Sequence, residues 1–420
     1  MSGATHATLS AWGRFIGGNF RFLSFGFGIN VFISVGQTFY ISLFNDSFQT
    51  ALGLNHGQIA AIYGGSLMLG ALLTMQLGRI YDRFDLRVIC TILVLLMAAC
   101  AAVMAMVDSP WMLFVGMFGV RFFGGGLLGL GAQASMARYF ETDRGKAASI
   151  ANAGHTVGFG IFPLIGALLI EAVGWRGAWW AVTVAALVLL LPLIHLQLVG
   201  HGERHARYVQ RMAELAAKPS DTAVRHYRLA EMLRDGRFYM LLPGILAVPA
   251  IMFTFQFHQL ELVHEKGWSV TVFAAGYVVF SVVSFLGNLL AGEYVDRHGT
   301  RALLRWYLLP MIPAMFFVAL SDDPIAIPIY MAGTGLTFGC ALVMNVTLYA
   351  ELYGSRHIGA IRGFTVAMNT LIAAGGMAGV GWLIDAGISI SQQAFACGVI
   401  TVFSALLLVL VAPRLPGRRR

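Results

Sequence analysis

Charge is scarce in this chain. Asp, Glu, Lys and Arg make up 11% of its 420 residues, whereas 58% are hydrophobic and the mean hydropathy is +0.74. Such a composition excludes an ordinary soluble domain and reads as a membrane protein. Cysteine is also rare. Cys90, Cys100, Cys340 and Cys397 fall inside apolar segments without metal-type spacing, so neither a disulfide framework nor a metal site is suggested. Catalytic signatures are missing too. "RGKAAS" (144–149) lacks the glycine spacing and the Ser/Thr after Lys146 that a Walker A loop needs, and no GxSxG, HExxH or CxxC occurs. Neither nucleotide hydrolysis, nor a cofactor, nor a membrane enzyme is expected.

What is present is a series of long apolar runs. Spanning the hydrocarbon core takes roughly 20 residues of helix, and twelve such segments can be placed, at about 22–44, 57–77, 86–107, 111–135, 145–171, 176–199, 238–261, 270–293, 301–320, 324–349, 359–385 and 391–412. The first follows Arg14 and Arg21 but is too long for a signal peptide and lacks a small-residue cleavage site, so it reads as a retained helix. An even number of spans puts both termini on one side. Of the 28 Lys and Arg, Arg176 and Lys266 face the other side, Arg121 lies within the membrane, and the rest sit on the termini side. The positive-inside rule then predicts cytoplasmic termini and an inner-membrane, multi-pass protein. The excess of +8 reads as topology and anionic-lipid contact rather than nucleic-acid binding. The expected division is an arm over 1–21, a six-helix bundle over 22–199, a basic linker over 200–237, a second bundle over 238–412 and a tail over 413–420.

The two bundles repeat. "GRIYDRFDLR" (78–87) and "GEYVDRHGTR" (292–301) share Gly-x-x-x-Asp-Arg and a terminal Arg at an offset of 214, and the same offset takes Gly53 to Gly267, Tyr63 to Tyr277, Tyr139 to Tyr353, Gly145 to Gly359, His155 to Asn369 and Glu171 to Asp385. Two parallel repeats with a site between them describe one large transporter class. With Gly78, Asp82, Arg83 and Arg87 echoed by Gly292, Asp296, Arg297 and Arg301, with Arg121 followed by Gly125, and with the Gly/Pro-rich "NAGHTVGFGIFPLIG" (152–166), the sequence resembles the major facilitator superfamily. The resemblance implies an all-α membrane protein of twelve transmembrane helices in two pseudo-symmetric six-helix bundles, working as a monomer. One departure is Asp85, where the family pattern and the second copy (Gly299) have glycine; a different turn is expected there. "YFETDRGKAASIANAG" (139–154) and "YGSRHIGAIRGF" (353–364) are similar to the monocarboxylate and oxalate/formate branches, although the helix-one lysine and helix-eight Asp/Arg pair of known monocarboxylate transporters are missing.

Polar residues inside the membrane are candidate functional groups. Asn30, Ser34 and Gln37 are spaced to share a face of helix one, and Thr254, His258 and Glu261 a face of helix seven, while Asn345 and Tyr349 stand one turn apart on helix ten. The resemblance implies that helices one, four, seven and ten line the cavity. Arg121, Asn30, Gln37, His258, Asn345 and Tyr349 are therefore the candidate substrate contacts, His258 alternatively a gate. Arg121 falls roughly 15 Å in from one end of helix four, and His155 about as deep in helix five. His155 is the candidate for a coupling proton, its alternative being a neutral interhelical residue. All 20 acids lie in loops or at helix ends, so none is placed to pair with Arg121 at mid-depth. Its partner is either an anionic substrate, which suits the guanidinium fork, or its own helix surroundings. The repeated loop motifs are expected to gate or stabilise one state without touching substrate. Gly154 and Gly158, and likewise Gly375 and Gly379, have the spacing of close helix packing, here between halves, with Pro163 as a bend.

These features predict a secondary transporter moving a small organic solute by alternating access with protons, the solute being an anion such as a carboxylate. Export of amphiphilic drug-like compounds and uptake of an aromatic, vitamin-like solute are the alternatives within transport; a non-transporting sensor on the same fold is the alternative outside it.

Overall fold

A computed structural model describes residues 2–77, 81, 85–140, 144–202, 229–354 and 358–414. Among these residues there are ten helices long and apolar enough to cross a membrane. One of them, Gly145–Gln197, has 53 residues, about 80 Å of helix and twice a bilayer. It divides at Gly174, whose φ of 69° and ψ of 169° break the helical path, into the fifth and sixth spans. The helix runs through Pro163 without such a break. The shorter apolar helix Met311–Leu320 completes the ninth span, so the twelve expected spans are all found. That ninth span is not one helix: Thr300–Leu304 gives way to turns before Pro310 caps the start of Met311–Leu320.

The other spans are His56–Leu77 (second), Leu86–Ala105 (third), Gly236–Phe257 (seventh), Val270–His298 (eighth), Ala326–Tyr353 (tenth), Ile358–Asp385 (eleventh) and Ile390–Val411 (twelfth). Large apolar side chains such as Leu72, Trp111, Leu320, Phe403 and Leu410 are exposed around the outside, as a lipid-facing belt requires. The repeat is visible in the backbone. Gly53 and Gly267, one offset apart, both adopt φ of 65° where a helix ends on the face away from the termini, called distal below. Tyr63 and Tyr277 are both fully buried.

The second span packs along the eleventh and the fifth along the eighth, which joins the two halves. Several glycines allow this. A Cβ on Gly64 would stand 3.3 Å from the Ala374 Cβ, one on Gly160 3.1 Å from Ser281 Oγ, and one on Gly381 2.9 Å from the His56 carbonyl oxygen. This corrects two expectations. Gly375 and Gly379 have open space around them, while Gly376 and Gly381 take the close contacts of the eleventh span. Gly154 and Gly158 do permit close approach, but inside the first half, against Phe27, Val31 and Ser34 of the first span.

At the position of the departure, Asp85 and Gly299, the two copies adopt different backbone conformations. Asp85 has an ordinary extended conformation and caps the third span, its carboxylate accepting from the Arg87 amide at 2.9 Å and the Val88 amide at 3.3 Å. Gly299 turns the second copy with φ of 81°. Gly292, Asp296 and Arg297 continue the eighth span, Arg297 pairing with Glu293 one turn back. Arg301 donates to the carbonyls of Ala412 (3.0 Å) and Pro413 (2.8 Å), at the negative end of the twelfth span's helix dipole. Arg87 is exposed; Gly78, Asp82 and Arg83 lie outside the described residues.

Candidate functional site: an arginine under an aromatic roof

Helix one is not continuous. It runs as α-helix over Ser2–Phe32, tightens to a 3₁₀ turn over Ile33–Gly36, and passes through an extended Gln37 (φ −91°, ψ 158°) before resuming at Thr38–Ile41. Asn30, Ser34 and Gln37 therefore do not share one helical face, contrary to their spacing. The fourth span is irregular at the same depth. Between Pro110–Gly119 and Gly129–Tyr139 it widens to a π-helix over Val120–Leu128, a stretch with three consecutive glycines. The two irregular stretches press on each other: a Cβ on Gly36 would stand 2.6 Å from the Val120 carbonyl oxygen. Wide turns of this kind free backbone groups and re-aim side chains, and they recur at functional sites.

Arg121 sits on the π stretch, and its Nη1 donates to Gln37 Oε1. The space above Gly125 makes this possible, because a Cβ there would fall 2.7 Å from Arg121 Nη1 and 3.0 Å from Gln37 Nε2. Among the described residues no carboxylate pairs with this guanidinium, so one of its five donors is used by the protein. Arg121 is also within electrostatic range of His155 and Tyr63, and the Tyr63 hydroxyl shares a 2.9 Å hydrogen bond with Thr38 Oγ1. Arg121, Gln37 and His155 all stay half-buried at mid-depth while Ile33–Gly36 and Thr38–Ile41 are buried. Each keeps part of its surface accessible between the helices.

A cluster of aromatic rings covers them. Phe39 lies 3.9 Å from Phe159 between centroids, Phe159 stacks on Phe280 at 4.7 Å, and Tyr277 and Phe338 close the group at 5.8 Å from Phe159 and 5.7 Å from Phe280. Both halves contribute. Chain direction orders the layers: His155 is one turn before Phe159 on a span that enters from the termini face, and Gln37 precedes Phe39 on another. The arginine and histidine thus lie on the termini side of the roof.

Beyond the roof the distal side is closed. Ser42 Oγ donates to the Gln256 carbonyl (2.7 Å), Asn45 Nδ2 to the Phe257 carbonyl (2.8 Å), and Gln259 Nε2 to the Phe39 carbonyl (2.9 Å) and Ser42 Oγ (2.8 Å), while the Tyr277 hydroxyl donates to Gln259 Oε1 (2.8 Å). Tyr63 stacks on Phe257 at 5.0 Å. At the rim, Asp385 accepts from the backbone amides of His56 (3.1 Å) and Gly57 (2.8 Å), so a carboxylate of one half caps a helix of the other. The His56 ring bridges Asp385 and Glu261 at 3.1 Å each. That hydrogen bond from His56 holds the Glu261 carboxyl below its ordinary range, against its partial burial. Burial moves the neighbouring Asp46 carboxyl upward, with His264 at 3.4 Å opposing it.

The sequence-derived candidates separate accordingly. Arg121 and Gln37 come together, with His155 in electrostatic range of the arginine. Asn30 is buried lower on helix one, its Nδ2 donating to the Gly26 carbonyl at 2.8 Å. His258 is buried within the second half, with Nε2 2.8 Å from the Met377 carbonyl oxygen of the eleventh span, and it lines the distal cleft beside His56 and Glu261. Tyr349 is buried within the second half near Tyr307, and Asn345 is half-buried beside it in the chain. The aromatic roof, Gln259 and His56 were missed. Phe39, Phe159 and Phe280 look like ordinary apolar residues in sequence, and nothing local marks them as one cluster.

Residues 26–359 match the family model of the Major Facilitator Superfamily. A curated relative, an uncharacterized MFS-type transporter YfnC of Bacillus subtilis (strain 168), is 25% identical over 248 residues, which span 58% of this chain and 58% of that relative's length. Among solved structures, an inward-facing, unoccupied bacterial homolog of the human lysosomal transporter Spinster superposes with a TM-score of 0.68 at 15% identity, over 94% of this chain and 97% of that one. A D-xylose-proton symporter gives 0.64 at 17% identity, over 93% and 97%, and the nucleoside transporter NupG 0.65 at 15%, over 93% and 99%. With its repeat, its twelve spans and a family match over most of its length, this chain belongs to the Major Facilitator Superfamily.

Proposed function

We propose that the protein is a secondary active transporter that moves a small organic anion, such as a carboxylate, across the cytoplasmic membrane by alternating access coupled to protons. The distribution of Lys and Arg supports cytoplasmic termini, which makes the closed distal side the outer one. The observation that carries the anion reading is Arg121: a charge at mid-depth, half-buried, with one amide oxygen as its protein partner among the described residues. An unpaired buried guanidinium is costly, and a bidentate carboxylate satisfies it. His155, in electrostatic range, is placed to take a proton that accompanies the anion, and the proton symport named for one structural relative supports coupling of this type.

A second reading draws on the roof of Phe39, Phe159, Tyr277, Phe280 and Phe338. These rings favour an aromatic or amphiphilic solute packed against them. Thermal unfolding of the purified protein across carboxylates, neutral aromatic vitamins and cationic drugs tests both. Stabilisation by carboxylates that disappears in Arg121→Ala is the expected result; stabilisation by cationic drugs alone would overturn the anion reading.

A further inference from the structure

His56 opens the second span and is the one imidazole that bridges the two halves through both ring nitrogens among the described residues. Its Nδ1 is 3.1 Å from Asp385 Oδ1 and its Nε2 is 3.1 Å from Glu261 Oε2. A neutral imidazole carries one N–H, so it can donate to one of these oxygens and must turn a lone pair on the other. Both contacts are hydrogen bonds only if the cluster holds one proton more than a neutral ring with two carboxylates. The carboxylates are poor places for it. Asp385 already accepts from the His56 amide on one carboxylate oxygen and from the Gly57 amide on the other. Glu261 is held ionised by His56 itself. The extra proton belongs on the ring.

The other groups facing this ring agree with a cationic His56. His258 stands on the inner side with Nε2 against the Met377 carbonyl, and the half-exposed Asp46–His264 pair stands on the outer side. The ring is also reachable, its side chain being 28% exposed. It lines a small cleft of about 260 Å³, open mouth included, together with Asp46, Gln49, Phe257, His258 and Glu261. The seam around it includes Trp382, which lies over Gly57, and Gly381, where a Cβ would stand 2.9 Å from the His56 carbonyl oxygen. Parting the halves therefore separates His56 from Glu261 and Asp385 at once.

We infer that His56 is a proton-binding site of the transport cycle: a proton taken up from the distal side closes the seam by bridging Glu261 and Asp385, and its release lets the seam part. Closure and protonation favour each other by linkage, since the closed seam binds a proton that the parted one does not hold. The site is distinct from the substrate space, because the aromatic roof lies between it and Arg121. This role rests on the alternating-access reading but on no particular substrate.

The test is a distance measurement between spin labels at Thr50→Cys and Ile325→Cys, exposed distal positions of the two halves, in a background without the four native cysteines. In nanodiscs without substrate, the short distance should dominate at about pH 5.5, and the parted population should grow up to about tenfold per pH unit through the imidazole range. His56→Gln should abolish this response, and Glu261→Gln, which keeps the ring and the shape, should flatten it. His155→Gln should retain it. A distance insensitive to pH, a response surviving in His56→Gln, or one lost in His155→Gln would overturn the assignment. If His56→Gln does not fold, an unflattened response in Glu261→Gln overturns it instead. Failure of carboxylates to stabilise the protein would count against the anion reading and leave this result standing.

Discussion

Ser42 Oγ donates a 2.7 Å hydrogen bond to the backbone carbonyl of Gln256, and the two residues are 214 positions apart, the offset of the internal repeat. Residues equivalent by a twofold relation can touch only near its axis. This contact therefore marks where the pseudo-twofold axis passes the distal side, and the cross-half bonds of Asn45 and Gln259 gather around it. The seam is built on repeat symmetry but is not itself symmetric: Asp385 is engaged at the rim, whereas its counterpart Glu171 is exposed.

Gln259 makes three buried hydrogen bonds in that seam, serving the Phe39 carbonyl, Ser42 and Tyr277. Gln259→Leu removes three buried hydrogen bonds and takes this partner from the Tyr277 hydroxyl and the Phe39 carbonyl, whereas Ser42 keeps its bond to Gln256; a buried group left unmade costs about 1–3 kcal/mol. Thermal unfolding in detergent should show a loss of several degrees, larger than for Tyr277→Phe, which removes one donor and leaves one acceptor.

Gly125→Ala places a Cβ 2.7 Å from Arg121 Nη1. The guanidinium is the far end of a flexible side chain and can swing aside, so folding should survive while its bond to Gln37 is displaced. A weakening of anion binding by about tenfold or more, that is about 1.4 kcal/mol, is expected in a ligand-dependent melting titration.

Gly57 lies beneath Trp382 with no room for a side chain. Gly57→Val should pry the second and eleventh spans apart at their distal ends, at a cost of about 1–3 kcal/mol to the closed seam. Labelling of Ser42→Cys, buried beneath that seam, by a membrane-impermeant thiol reagent should accelerate accordingly.

The depressed carboxyl of Glu261 has a definite pH signature. Its folded-state affinity for protons is lower than the unfolded one, so it contributes stability above the unfolded value of about 4.3, and this is lost as pH falls through the folded one. Melting temperatures measured from about pH 6 down to about pH 3 should fall less steeply in Glu261→Gln than in the native sequence.

Much of this was legible in the sequence. Hydrophobic length counts the spans; the constant offset marks Gly53 and Gly267 as equivalent positions, and the departure at Asp85 marks a turn unlike that of Gly299. Arg121 could be placed at mid-depth without an acid because helical rise is uniform and the acids cluster at span ends. The broken first span, the π stretch over Val120–Leu128 and the interrupted ninth span could not be read this way. Spacing arguments assume a regular helix, and here contacts such as Gly36 on Val120 and the turns before Pro310 set the path.

Composition and repeat, properties of the chain itself, determined that this protein is a two-bundle membrane protein with an isolated internal charge. Only the tertiary structure decided that Arg121 meets Gln37 beneath an aromatic roof, with His155 in electrostatic range, and that His56 meets Glu261 and Asp385 across the seam. The hydrophobic effect and backbone hydrogen bonding act along the chain and can be counted from it. Pairings between residues as many as 329 positions apart, as for His56 and Asp385, exist only once two bundles have docked.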